Sequence, residues 1–454
     1  MKTIATLLAL ACSAAWAQAV PADTDRVYTA DQNSNTVSVI NPASNMLLGQ
    51  IRLGNLRPDV LSPLYRGQIN VHGLGFSPDH KTLVVVSNGS NSVSFVDTAS
   101  NTVKGIAYIG RSPHEAFFTA DGKEVWAVVR GEDYISVIDP LTFKEKRRIA
   151  TADGPGMVQF TPDGKLAFAV SSFTPEVDII DVTSYSIVKR IKVTSPFSPF
   201  LQFTPDFKEV WMTHKDVGKV TRIDVRTQEV KGVIDTGLIT NHLAFGKKDG
   251  VTYAYVTVGG ENLVKVYTTG DTPQLVASIP VGALPHGAWP SDDFSRIYVG
   301  LENGDGVEVI DVASNKVTAH IPVGQAPQAL VYLSHVAADG TAPNLKPRAN
   351  GEPHNIALHS SGAASGFVVA RNLGVLDTLE LTLFKLKPET RYSIYVSGQA
   401  APVATVETNA KGMANTTAIG PLRQASQALS SPASAIAVME GDALPGRAAP
   451  ALSN

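Results

Sequence analysis

Thiol chemistry is almost absent from this chain: among 454 residues there is one cysteine, Cys12. It lies in a stretch that reads as a removable leader, with Lys2 as the basic start, Ile4 to Ala11 as a short apolar run and Ala17-Gln-Ala19 as a small-residue cleavage site. Residues 1–19 are therefore expected to be a secretory signal peptide. Cleavage just before Cys12, as in a lipoprotein, is the rival reading, but Ala9-Leu10-Ala11 is a poor lipobox. Without Cys12 the mature chain holds no disulfide, thiolate metal site or Cys nucleophile. The apolar run is too short to span a bilayer, and no later segment is long and apolar enough. Charge of one sign is also lacking: the formal net charge is −3, so bulk charge does not recommend a nucleic-acid partner. The familiar catalytic signatures are missing too, with no His-Glu-x-x-His, Gly-x-Ser-x-Gly, P-loop, haem-attachment, Rossmann or EF-hand pattern. The basic run Lys144-Glu-Lys-Arg-Arg148 reads as a device that keeps an outer sheet edge soluble.

What the chain does have is a repeat. An aromatic followed by a turn recurs at Phe76, Phe118, Phe160, Phe203, Phe245, Trp289 and Tyr332, in steps of 42, 42, 43, 42, 44 and 43 residues. A second marker is an alternating apolar strand that usually ends in an acid, such as Val93-Ser-Phe-Val-Asp97, Ile135-Ser-Val-Ile-Asp139 and Val307-Glu-Val-Ile-Asp311. A period of this length signals repeat architecture. Alternating β-branched residues between Pro, Asp, Gly and Asn turns signal short antiparallel strands, and four of these per period make a propeller blade. The array's ends are incomplete in complementary ways. Residues 26–54 supply three strands with no inner strand, and 328–334 supply an inner strand with nothing after it. Joined, they complete a seventh blade and protect the open edges. The expected fold is all-β: a seven-bladed β-propeller with circular closure over 20–336.

One step breaks the period: Asn41 to Asp97 spans 56 residues. The excess lies in Asn55–Val71, which is read as a lid over the central channel. Residues 337–352 read as a linker. Residues 353–440 are expected to form a small β-sandwich-like unit from Phe367–Ala370, Thr378–Phe384, Tyr392–Val396, Val403–Glu407 and Ile436–Met439. The run Leu386-Lys-Pro-Glu-Thr-Arg-Tyr392 resembles a tyrosine corner, in which the hydroxyl caps a strand crossover. Residues 441–454, rich in Ala, Pro and Gly, are expected to be disordered.

The units resemble the YVTN-type β-propeller repeat of secreted and surface bacterial and archaeal proteins. Tyr28-Thr-Ala-Asp31, Asn35-Thr-Val-Ser-Val-Ile-Asn41, Asn91–Asn101, Val307-Glu-Val-Ile-Asp-Val-Ala-Ser-Asn315 and Ile321-Pro-Val-Gly324 carry the resemblance. It covers 26–334 and departs at the Asn55–Val71 insertion and at Val264–Thr268, which lacks the acid. It implies fold and secretion, and little about activity, because propellers host many.

Histidine placement is the notable chemical feature. His72 and His114 stand four residues before their marker aromatics, and His242 and His286 three before theirs. All four start inner strands at one mouth of the channel. His214 ends a second strand and is expected at the same face, with Arg130 and Glu302 in comparable places in other blades and Asn241 beside His242. Converging imidazoles suit a divalent transition metal, copper or zinc, or a pH-sensitive anion site. The plainer reading is that funnel mouths are polar in any case. The one-residue offset between the two His pairs also matters, because alternation turns neighbours to opposite faces unless a bulge intervenes. Trp126, Trp211 and Trp289 are assigned to packing between blades, and Glu115 to a solvated carboxylate or a base. The resulting expectation is a periplasmic or secreted monomer that binds a small molecule or a protein at the His-lined mouth. A metal-dependent oxidoreductase or hydrolase using the same histidines, and a cell-surface adhesion protein, are the other classes. No residue is assigned as catalytic.

Overall fold

The structure, a computed structural model, describes residues 21–54, 69–337, 340–348, 354–372, 377–397, 399–420, 422, 436–446 and 449–454. The leader, and residues 55–68 of the lid expected over Asn55–Val71, lie outside them. Seven four-stranded antiparallel sheets form the propeller. Blade 1 is closed as the complementary ends require. Pro327–Leu333 pairs with Arg26–Asp31, with Val27 opposite Tyr332 and Tyr28 opposite Val331. Tyr332 Oη donates to Asp25 at 2.5 Å and the His335 amide donates to the same carboxylate at 2.9 Å, so the seam is latched by side chains as well as by the ladder.

The second and third strands of each blade are buried almost throughout, while the outer strands alternate toward solvent. The recurrent acid ends the third strand because it caps its own turn: Asp97, Asp139, Asp181, Asp224 and Asp311 each accept an amide two or three residues on. The tryptophans pack between blades, Trp126 against Phe160 at 5.1 Å and Trp211 against Phe245 at 5.7 Å. At the end of the channel away from the histidines, marker aromatics including Phe76, Phe160, Phe203 and Trp289 line an apolar cavity of about 380 Å³.

The C-terminal unit is one eight-stranded antiparallel sheet. In spatial order its strands are Ala404–Glu407, Arg391–Val396, Ile436–Glu440, Leu452–Ser453, His354–His359, Ser365–Asn372, Asp377–Phe384 and Ala414–Gly420. The two end strands return to each other, so the sheet curls nearly into a barrel around Val368, Leu381, Ile394 and Val438. The expected sandwich differs from this for one reason. Leu452–Ser453, in the tail expected to be disordered, pairs with both Ile436–Glu440 and His354–His359 and joins what would otherwise be two sheets. The tyrosine corner is present, with the Tyr392 hydroxyl accepting the Lys387 amide at 3.2 Å.

The curled sheet is docked on the propeller. Ile239, Leu284 and Phe384 form a shared apolar cluster. Arg371, fully buried, bonds Asp305 at 3.0 Å, Glu380 at 2.6 Å and the Glu302 carbonyl at 2.7 Å. The linker is pinned as well: Lys346 pairs with Gln50, and Arg348 Nε donates to the Val323 carbonyl at 2.6 Å. Among the described residues no helix is long and apolar enough to cross a membrane.

Candidate functional site

Every inner strand but that of blade 5 starts with a break in register, and those breaks position the histidines. Val71 faces Ser87 and Leu74 faces Val85, so His72 and Gly73 together oppose one residue. The same bulge holds His114 and Glu115, Asn241 and His242, and His286 and Gly287. In blade 4 it holds Gly156 alone, and in blade 1 it holds Gln328 and Ala329. A bulge sits two residues against one and re-aims its side chains. In this light the offset separates only His242 from the other three. His72, His114, Asn241 and His286 occupy the first bulge position, and His242 occupies the second.

The bulges also free carbonyls to bond the neighbouring blade. His114 Nδ1 donates to the Gly156 carbonyl at 2.6 Å and His286 Nδ1 to the Gln328 carbonyl at 2.9 Å. A carbonyl can only accept, so each of these imidazoles carries its proton on Nδ1 and presents Nε2 as a lone pair. His72 Nδ1 lies 3.1 Å from Gln32 Oε1. Asn241 Nδ2 donates to the Pro285 carbonyl at 2.8 Å.

The rings close on the axis without the large gaps that four blades of seven would suggest. The ring centroids are 4.3 Å apart for His72 and His114, 6.4 Å for His72 and His286, and 4.9 Å for His242 and His286. His242 stacks on Phe200 at 4.0 Å. Burial, reinforced by the Arg130 charge, lowers His72 to about 3, and burial holds His114, His242 and His286 well below their ordinary value. The cluster is neutral imidazole at neutral pH.

Charged groups surround it. Glu115, read as a solvated carboxylate or a base, is 3% exposed, and burial pushes it up to about 8. One ligand atom from each of His72, His114 and Glu115 lies within 4.8 Å of the others. The Arg130 guanidinium sits over the Phe197 ring at 5.0 Å, and burial lowers it to about 10. Glu302 Oε2 lies 4.0 Å from His286 Nε2, and burial raises that carboxyl.

His214 is not part of this group. It is fully buried inside blade 5, with Nδ1 against Ser198 at 2.9 Å and Nε2 against Thr221 at 2.6 Å. Lys215, one residue later, takes the place that Arg130 and Glu302 hold in their blades. It is the residue the sequence reading missed, and its signal was the alignment of second-strand ends: Gln32, Arg130, Lys215 and Glu302 each follow the last residue of one. Burial lowers the Lys215 ammonium.

Above the rings lies a cavity of about 410 Å³. From the propeller it is lined by Gln32, Lys215, Glu302 and Gln328, among others, and from the C-terminal sheet by Glu380, Thr382 and Asn415 to Thr417. Gln32 and Gln328 are thus both cavity wall and hydrogen-bond partners of His72 and His286. No sequence signal pointed to the C-terminal residues, because nothing local says where that sheet docks.

Comparison with solved structures shows the same fold. Hydrazine synthase from Kuenenia stuttgartiensis is 19% identical with a TM-score of 0.55, over 62% of this chain and 94% of that one. A functionally unknown protein from Desulfotomaculum acetoxidans DSM 771 is 14% identical with a TM-score of 0.57, over 68% and 99%. The dihydro-heme d1 dehydrogenase NirN, in complex with DHE, is 12% identical with a TM-score of 0.50, over 87% and 75%. No curated protein sequence matches significantly. Residues 74–289, which span blades 2 to 6 and enter blade 7, match the model of the YNCE-like beta-propeller family.

Proposed function

We propose that this chain is an exported binding protein that holds a small polar solute between the His-lined mouth of the propeller and the C-terminal sheet. The observation that carries this reading is the roofed cavity itself. Concave sites with a few convergent polar groups and shifted titratable residues are where ligands bind, and domain junctions are favoured places for them. Here Lys215 and Glu302 supply opposite charges, while Gln32, Gln328, Asn415 and the threonines supply neutral donors and acceptors. The leader-like first 19 residues support an extracytoplasmic address.

The test is to purify the full chain from its native host, release retained small molecules by denaturation and identify them by mass spectrometry. A stoichiometric solute is expected, with retention reduced at least tenfold by Lys215→Ala. A chain that retains nothing from its own compartment, or a Lys215→Ala variant with unchanged retention, would sink the reading. N-terminal sequencing of the exported form should begin at Val20. Catalysis is the second reading, favoured by the clustering of His72, His114 and Glu115. The names of two structural neighbours, hydrazine synthase and a dehydrogenase, indicate that the fold admits it.

A further inference from the structure

Several acceptors at the axis of the propeller have no hydrogen-bond donor. Among the described residues Nε2 of His114 makes no hydrogen bond, because the ring's single bond uses Nδ1. Asn241 Oδ1 and Glu302 Oε2 are both buried without a hydrogen-bond partner. Nε2 of His286 lies 4.0 Å from Glu302 Oε2, beyond hydrogen-bond distance. An apolar plug would seal the channel at less desolvation cost than these groups, since buried polar atoms without partners are expensive. A cation is the species that satisfies several lone pairs at once.

We propose that His72, His114 and Glu115 bind one transition-metal ion, copper or zinc, within the buried His cluster. The inference deepens the binding reading above and rests on it for the role of the ion. Three observations support it. Ligand atoms of the three residues already lie within 4.8 Å of one another. Side-chain rotation has only to bring each to about 2 Å from a shared ion. The Nδ1 bond to the Gly156 carbonyl fixes the His114 tautomer and ring direction, as outer partners of metal-bound histidines do. Backbone space is also reserved for the cluster: a Cβ on Gly73 would meet the His114 carbonyl and approach Glu115 Oε2 to 2.6 Å. Imidazole with carboxylate suits zinc and copper, and copper(II) binds such sites more tightly than zinc.

The experiment uses tag-free full-length protein stripped with a chelator. It is titrated separately with copper(II) and with zinc in competition with a chelator of known affinity. One ion per chain is expected, with copper(II) the tighter. Nitrogen couplings from two imidazoles should appear in the copper(II) paramagnetic resonance spectrum. His114→Ala and Glu115→Gln should each weaken binding at least tenfold, whereas His320→Ala, half-exposed on the outer strand of blade 7, should not change it. Thermal melts accompany each titration: metal should raise the wild-type midpoint and leave that of Glu115→Gln, a near-isosteric change, unmoved. Sub-stoichiometric binding, or equal affinity in His114→Ala and His320→Ala, overturns the proposal and leaves the lone pairs to water. A chain that binds no metal yet retains a solute through Lys215 loses the ion and keeps the binding reading. A chain that binds the ion but retains no solute keeps the ion and loses the binding reading.

Discussion

Single residues at this mouth take their roles from a shift of one position. His214 and Lys215 are neighbours, yet one is sealed between Ser198 and Thr221 and the other faces the cavity. Alternation along a strand does this, and it makes His214 a structural residue. His214→Ala should cost about 1–3 kcal/mol, the range for stranding buried polar partners. Denaturant unfolding would measure it; an unchanged midpoint would contradict the structural role. Gly73→Ala should cost about 1–3 kcal/mol as an overpacking change, because its new methyl collides with the next blade's bulge. A fully tolerated alanine there would mean that the bulges do not pack as described. Asp31 gives a pH signature. It is fully buried and accepts hydroxyls from Thr29 at 2.5 Å, Thr36 at 2.9 Å and Ser38 at 2.7 Å, and burial pushes it up to about 7. A carboxyl raised on folding contributes stability that is full below its unfolded value, near 4, and is lost as pH rises through about 7. Stability measured across pH 4 to 8 should therefore shift in favour of Asp31→Asn relative to wild type, levelling above the upper value. A pH-independent difference between the two proteins would remove Asp31 from the account.

Elements fit together here through irregularities more than through ideal strands. The bulge at the start of six inner strands carries the histidines and bonds blade to blade. The period was legible in the sequence because each blade repeats the same burial pattern. The bulge was not, because one extra residue at the start of each inner strand leaves the period intact. The clamp between the two units is equally specific. Arg371 ends up with no exposure between Asp305 and Glu380. Removing one partner of a buried pair leaves an uncompensated charge and costs about 3–5 kcal/mol. Arg371→Met should lower stability by that order and split a single calorimetric transition into two as the units uncouple. One unchanged transition would show that the clamp does not couple them.

At the scale of the whole molecule, the C-terminal sheet closes over the propeller mouth and makes a cavity from an open funnel. Linker residues 340–348 are tied to blades 1, 2 and 7, and further bonds run from Asn33 to Glu380 and from Asn355 to Asn303. Cutting the chain within 337–352 should therefore leave both fragments associated. Gel filtration after limited proteolysis would check this, and free fragments at neutral pH would contradict the docking.

The sequence by itself determined the seven blades, their closure by the two ends of the array, the tyrosine corner and the gathering of His72, His114, His242 and His286 at one mouth. Each of these follows from local periodicity, turn chemistry and the need to pair every edge, which a linear string records. Tertiary structure decided the rest. It decided that Lys215 and not His214 lines the site, that Glu115 is buried among the histidines, and that Leu452–Ser453 joins two half-sheets into one. It also decided that the joined sheet roofs the cavity. The reason is that bulge phase, burial and docking depend on which distant residues meet, and no local pattern encodes those meetings.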